Sequence, residues 1–253
     1  MDDPNPFADS HAANYGASTK SYEPLETPPP YHDSAPADTN ASAGADTRSY
    51  AHYFQISPEQ LRERLAAALK LQKLQPEGQL ELEPDLYAPV WVTATVVAAL
   101  FFAHSVRLLV TALVHSTPLD TVTEYSRLTS CAFLFYAYTG LAPAAVHVIA
   151  GHVLGVRVHV TLPALVCIYG YANAAWVPVA VASSIANVLV ASSAANVFGW
   201  VCVAAGAVHS GAVLFRQLRD VCDAEDAARW RPVLVAVLAV HAGFACAVKA
   251  VVF

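Results

Sequence analysis

Residues Glu83 to Leu100 read "EPDLYAPVWVTATVVAAL". A short stretch punctuated by acid and proline runs into one with no charged side chain. Asp85 at that threshold suits the cap of an incoming helix, whose free N–H groups and dipole favour a carboxylate. Tyr87 and Trp91 suit the headgroup layer of a bilayer, and Pro89 fits a first helical turn. The boundary reads as the start of a membrane span, and the rest of the chain can be organised outward from it.

The composition agrees. Of 253 residues, 56% are hydrophobic and 13% charged, against roughly 25% charged in soluble domains. The mean hydropathy is +0.42 although the first residues are polar. A net charge of -6 leaves no basic footprint for nucleic acid. Cys131, Cys167, Cys202, Cys222 and Cys246 show neither metal-ligand spacing nor a paired pattern. A span needs about 20 mostly apolar residues, and segments near 88–106, 128–150, 161–182, 195–215 and 232–252 meet that need. No Asp, Glu, Lys or Arg stands between Arg157 and Arg216, and the Ser- and Asn-rich stretch Ser183–Asn196 is expected to turn the chain there. The expected fold is all-α: a polytopic membrane protein with about five transmembrane helices behind a disordered cytosolic tail.

Three regions follow. Residues 1–52, rich in Pro, Ser, Ala, Asp and Thr, bury too little apolar surface to offset ordering entropy and read as a disordered tail. The amino terminus lacks the basic and apolar regions of a secretory signal, so the tail is expected in the cytosol. Residues 53–86 read as an amphipathic helix and linker. Ser57 is a good N-cap, Pro58 suits the first helical position, and Gln60 completes a capping box. Leu61, Leu65, Ala68 and Leu69 form its apolar face, expected to pack on the membrane domain, with Arg62, Glu63, Arg64 and Lys73 elsewhere. Residues 87–253 form the five-span domain. Lys70, Lys73, Arg157, Arg216, Arg219, Arg229 and Arg231 fall on the tail's side, and Arg107, Arg127 and Lys249 on the other. That bias predicts a cytosolic amino terminus and, with an odd span count, a lumenal Phe253.

The tail carries three short signals. Asn5-Pro6-Phe7 resembles the ligand of EH domains. Pro28, Pro29, Pro30 and Tyr31 form a PPxY-type WW-domain ligand, in which a preformed polyproline helix lowers the entropic cost of docking. Tyr22 to Leu25, "YEPL", has the form of a sorting signal read by clathrin adaptors. Together they predict cargo sorting and regulated turnover. Within or near the spans lie His104, His147, His209, His241, Tyr136, Tyr138, Tyr169, Tyr171 and Asn173, whereas no Asp or Glu lies inside any span. They are expected to hydrogen-bond between helices rather than relay protons. The sequence holds no nucleophile elbow, HExxH pair or phosphate loop, so neither enzymatic activity nor a cofactor is expected.

"DLYAPVW" resembles the "DLYGPFW" that leads into the first span of the YIP family, Rab-GTPase-interacting membrane proteins of the early secretory pathway. "CIYGYANAAWVPVAV", Cys167 to Val181, is similar to the family's third-span pattern. The matching positions are Asp85, Leu86, Tyr87 and Pro89, then Tyr169, Gly170, Tyr171 and Pro178. "YFQISPEQLRERL" looks like the helix before the membrane domain in the YIPF branch. Ala88 stands where the family has Gly, so a turn that only Gly allows would differ here. The resemblance covers about residues 50–253. It implies a non-enzymatic Golgi membrane protein that works with Rab GTPases and other YIP-family proteins in vesicle-mediated transport. Two other readings remain: a secretory carrier membrane protein, with four spans, and a small transporter or channel.

Asn40-Ala41-Ser42 is a glycosylation acceptor that the predicted orientation keeps out of the lumen. Asn40 is expected to stay unmodified when the full chain is made in eukaryotic cells and treated with glycosidase. A mobility shift there reverses the orientation.

Overall fold

The computed structural model describes residues 51–75, 82–115, 121–153, 155, 160–189, 192–220 and 227–252, and all of these that form regular structure are helical. The first long element is α1, Pro58–Leu69. Its start follows the capping box read from sequence: the Gln60 N–H donates to Ser57 Oγ at 3.1 Å, and the Ser57 N–H donates to Gln60 Oε1 at 3.3 Å. At its end Leu71 takes a left-handed conformation, φ 56°. There the Gln72 N–H reaches back to the Ala67 carbonyl at 2.7 Å, which closes the last turn in the manner of a Schellman cap.

A π-helical turn, Ala88–Val92, leads into α2, Thr93–His115. Pro89 in that turn has no N–H for the regular ladder, which suits a locally widened helix. Then come α3, Thr121–Val148, with a second π-helical turn at Ile149–Val153, and α4, Leu162–Ala172. A 3₁₀ turn, Asn173–Ala175, joins α4 to α5, Trp176–Leu189. The last helices are α6, Ser192–Asp220, and α7, Ala227–Val252.

Five of these stretches are long and apolar enough to cross a bilayer: Ala88–Leu113, Tyr125–His152, Leu162–Ala186, Asn196–Arg219 and Trp230–Val252. The 25 residues of the third span about 37 Å at 1.5 Å per residue, enough for a hydrocarbon layer of about 30 Å. Five spans match the sequence reading and depart from the four of a secretory carrier protein. The third span, α4 and α5 together, is the most enclosed. It packs α4 against α3 and α6, and α5 against α2 and α6, while α7 closes the bundle against α3 and α6.

The third span gives way to the fourth inside the Ser183–Asn196 stretch, as expected: α5 ends at Leu189 and α6 starts at Ser192, so helix extends into both ends of the stretch. Ser183 and Ser184 each donate to the Ala180 carbonyl, at 2.8 and 2.9 Å. Their hydroxyls are satisfied within the helix, so they do not compete with it for the chain.

The core mixes aromatic packing with neutral hydrogen bonds. Phe135, Trp176 and Phe244 meet edge to face with centroids 5.1 to 6.0 Å apart. Tyr138 stacks on Phe244 at 3.9 Å and hydrogen-bonds His241 Nδ1 at 2.7 Å. The other ring nitrogen of His241 lies 2.9 Å from Ser210 Oγ and 3.1 Å from the Ala207 carbonyl. Buried Asn173 donates to Thr93 Oγ1 at 3.1 Å and to Thr139 Oγ1 at 2.8 Å, joining the first three spans. These side chains bond between helices, as the sequence suggested.

Inter-span hydrogen bonds in membranes average roughly 0.6 kcal/mol each. Asn173→Leu keeps the volume and loses two of them, so it should destabilise the full chain by about 1–2 kcal/mol. Thermal unfolding in detergent micelles reads this; an unchanged midpoint would mean that packing alone holds these spans.

Candidate functional site

The threshold residue Asp85 is only 4% exposed, and four donors converge on it. Its Oδ1 accepts the N–H of Ala88 at 3.0 Å, the helix cap expected of an acid at that place. Its Oδ2 accepts Arg64 Nη1 at 2.5 Å, the Tyr171 hydroxyl at 3.1 Å and Cys167 Sγ at 3.4 Å. The carboxylate thus ties α1, the lead-in to the first span and the middle span to one point.

Arg64 corrects the sequence reading, which set it off the apolar face of α1. It is 7% exposed and forms an ion pair with Asp85. The spacing carried the signal: Arg64 stands three residues after Leu61 and four before Ala68, on the face that a 3.6-residue period turns inward. Burial works against its charge, but the acidic groups around it, Cys167, Asp85 and Tyr171, outweigh that effect. The guanidinium is held protonated more firmly than in water.

The other motif positions meet in the same place. Pro89 is buried against Gly170: a Cβ at Gly170 would lie 2.5 Å from the Pro89 nitrogen and 2.7 Å from its Cα. Gly170 is therefore the residue that lets the first and third spans touch backbone to backbone. Ala88 is buried in helical continuity, and the described non-glycine residues contain a positive φ only at Leu71. The turn at Ala88 therefore requires no glycine. Leu86 and Tyr87 are half-buried, and the Leu86 N–H donates to the Tyr53 carbonyl at 2.8 Å. The Tyr87 and Trp91 rings lie 6.2 Å apart, with Trp91 exposed. Tyr169 is buried beside Tyr138, at 5.4 Å between centroids. Pro178 is exposed and stands apart, on a shallow apolar crevice with Leu69 and His209.

Further contacts fasten α1 and the turn after it. His209 Nε2 lies 3.3 Å from the Ala68 carbonyl. On α6, the Gln217 amide grips the reversal after α1: its Nε2 donates to the Gln72 carbonyl at 2.9 Å and its Oε1 accepts the Leu74 N–H at 3.3 Å. Sequence reading did not single out Gln217; its signal was a lone amide in the last turns of an apolar helix. Among the described residues no group of three metal-ligating side chains occurs. Asn5, Pro6, Phe7, Tyr22, Leu25, Pro28, Pro29 and Tyr31 lie outside the described residues, as does Cys222.

A family model described as the Yip1 domain matches residues 74–248. The chain is 26% identical over 214 residues to Protein YIP5 of Saccharomyces cerevisiae, covering 81% of this chain and 69% of that protein. It is 28% identical over 172 residues to Protein YIP5 of Schizosaccharomyces pombe, covering 67% and 66%. No solved structure matches the chain. Asp85, Pro89, Gly170 and Tyr171 fall inside the matched segment, whereas α1 with Arg64 precedes it.

Breaking a buried ion pair on one side costs about 3–5 kcal/mol. Asp85→Ala should lose that much, because Arg64, Tyr171 and the Ala88 N–H all lose their acceptor. Arg64→Met leaves the buried Asp85 carboxylate without its cation and should cost a similar amount. Gly170→Ala forces a methyl into the Pro89 backbone and should cost about 1–3 kcal/mol. Gly140→Ala, with nothing within 4 Å of the new Cβ, should be neutral or slightly stabilising. Thermal unfolding in micelles and tryptic cleavage within α1 measure both series. A loss under about 1 kcal/mol for Asp85→Ala or Arg64→Met, the range of an exposed ion pair, or a silent Gly170→Ala, would contradict the site described.

Proposed function

As a chain whose residues 74–248 carry a Yip1 domain, this protein belongs to the Yip1-domain family of multi-pass membrane proteins, and we propose that it serves vesicle-mediated transport as a non-enzymatic scaffold of Golgi and early secretory membranes. The observation that carries this reading is the lock of α1 onto the domain through Arg64, Asp85 and Tyr171. A helix of 12 residues is marginal in water by itself. Fastened to the bundle, it becomes a fixed platform at the membrane surface, which is what a recruiting protein needs and a catalyst does not.

In this reading the tail and α1 are cytosolic and Phe253 is lumenal. Rab GTPases and other YIP-family membrane proteins are the partners. The half-buried Leu86 and Tyr87 and the exposed Trp91 and Pro178 offer contact area. Asp85, Pro89, Tyr169, Gly170 and Tyr171 shape that surface from beneath. The tail motifs Asn5-Pro6-Phe7, Tyr22–Leu25 and Pro28–Tyr31 recruit EH-domain, clathrin-adaptor and WW-domain proteins for sorting and turnover.

Proximity labelling with the full chain tagged at its amino terminus should enrich Golgi membrane proteins and Rab GTPases, with imaging that overlaps the Golgi. A tag after Phe253 should be protected from protease in sealed microsomes. Plasma-membrane residence without Golgi overlap, or an accessible carboxyl-terminal tag, would sink the proposal.

A further inference from the structure

Of the buried tyrosines in the spans, Tyr169 is set apart. The hydroxyls of Tyr138 and Tyr171 are engaged, by His241 at 2.7 Å and by Asp85 at 3.1 Å. The half-exposed Tyr136 donates to the Val90 carbonyl at 2.8 Å. Tyr169 is 1% exposed and packs its ring beside Tyr138, and no hydrogen bond to a described residue engages its hydroxyl, which stands on the wall of a crevice rather than being fully enclosed. A hydroxyl that opens onto an apolar crevice has a hydrogen bond left to give, which an acceptor bound there can take up.

Tyr169 belongs to the wall of an apolar crevice of about 80 Å³ between α3, α4 and α7. Ala145 and Ala236 make the space by being small, and Tyr169 from the middle span is the one polar side chain that lines it. The mouth faces outward: Ile149 is 44% and Val240 55% exposed, on surfaces that meet lipid in a spanning helix. Tyr169 stands seven residues into the third span, about 10 Å along the helix axis. Helical side chains lean toward the helix amino terminus, so the hydroxyl is carried back toward the edge of the hydrocarbon layer. There the acyl carbonyls of bilayer lipids lie.

We propose that this crevice binds one acyl chain of a bilayer lipid, with the chain's first methylenes between Ala145 and Ala236 and its carbonyl oxygen accepting a hydrogen bond from Tyr169. Size selects the occupant. A cavity of about 150 Å³ holds a single benzene ring, so 80 Å³ takes a few methylenes and excludes the fused rings of a sterol. Chemistry selects its polar group: a lone hydroxyl donor in an apolar wall calls for one acceptor on an apolar body. Such a lipid would wedge α3, α4 and α7 at the level of Tyr169 and take up that hydrogen bond.

The test uses the full chain in phospholipid nanodiscs that include a phosphatidylcholine with a diazirine near the acyl carbonyl. After photolysis, cross-links are mapped by mass spectrometry. Labelling at Ile149, Ala236 and Val240 should exceed that at the freely exposed Phe102 and Leu113 by severalfold. Tyr169→Phe, which removes only the hydroxyl, should bring the excess down at least threefold, and Ala236→Leu should abolish it by filling the crevice. Thermal unfolding of each variant checks that it is folded. If Ala236→Leu does not fold, the Tyr169→Phe result decides. Equal labelling of crevice and exposed faces, an unaffected Tyr169→Phe, or capture of a photoactivatable sterol in preference to the phospholipid would each overturn the proposal.

Discussion

A carboxylate with 4% exposure at the edge of a membrane bundle has to be neutralised, and the arrangement of this protein follows from how that is done. Taking an ion out of water costs several kcal/mol even after relaxation, and only close geometry with full hydrogen bonding offsets it. Asp85 meets that demand with a cation from α1, a hydroxyl and a thiol from α4 and the first free N–H of its own helix. Three separate segments are thereby committed to one point. The contact of Pro89 with Gly170 follows from the same constraint, since the first span can approach Asp85's partners only where the third has no side chain.

Away from this corner most of the described interior polar side chains are neutral. Asn173, Thr93 and Thr139 form one neutral group, and Tyr138, His241 and Ser210 another. Such bonds are individually weak in a bilayer, but they fix the rotation of each helix about its axis, which apolar packing alone does loosely. At the end of α7, Lys249 donates to Asn196 at 3.1 Å and lies 5.5 Å over the Trp200 ring. A cation in the last helical turn also complements the dipole there.

Much of this was legible in the residues, for reasons that differ by position. The five spans could be read because length and absence of charge suffice to define them. The cap at Asp85 could be read because Asp before a proline-bearing apolar run has one economical place to sit. That Asp85 would also be the deepest acid of the corner could not, because its partners lie 21 and 86 residues away. Arg64 was legible by its spacing: a long cationic side chain on an apolar helix face needs a buried partner, and Asp85 supplies it. Within the Ser183–Asn196 stretch the turn was legible but the reach of the helices into it was not. Serine breaks helices in water by competing for the backbone, but in an apolar surrounding its hydroxyl turns inward to the Ala180 carbonyl and the helix continues.

The separation in sequence of the partners at Asp85 also bears on how the chain is made. Arg64 and Asp85 are synthesised early, whereas Tyr171 and Cys167 follow only after two further spans. Until the third span is in place, α1 has a cation and an apolar face with nowhere to dock, and Asp85 lacks two of its donors. Gly170 arrives at the same late moment, so the first span cannot settle against its neighbour before then. The corner therefore closes once, when the middle of the chain has been inserted. A molecule halted before Tyr171 presents to the surroundings an unburied acid and an undocked helix, the features by which an unfinished membrane protein differs from a finished one.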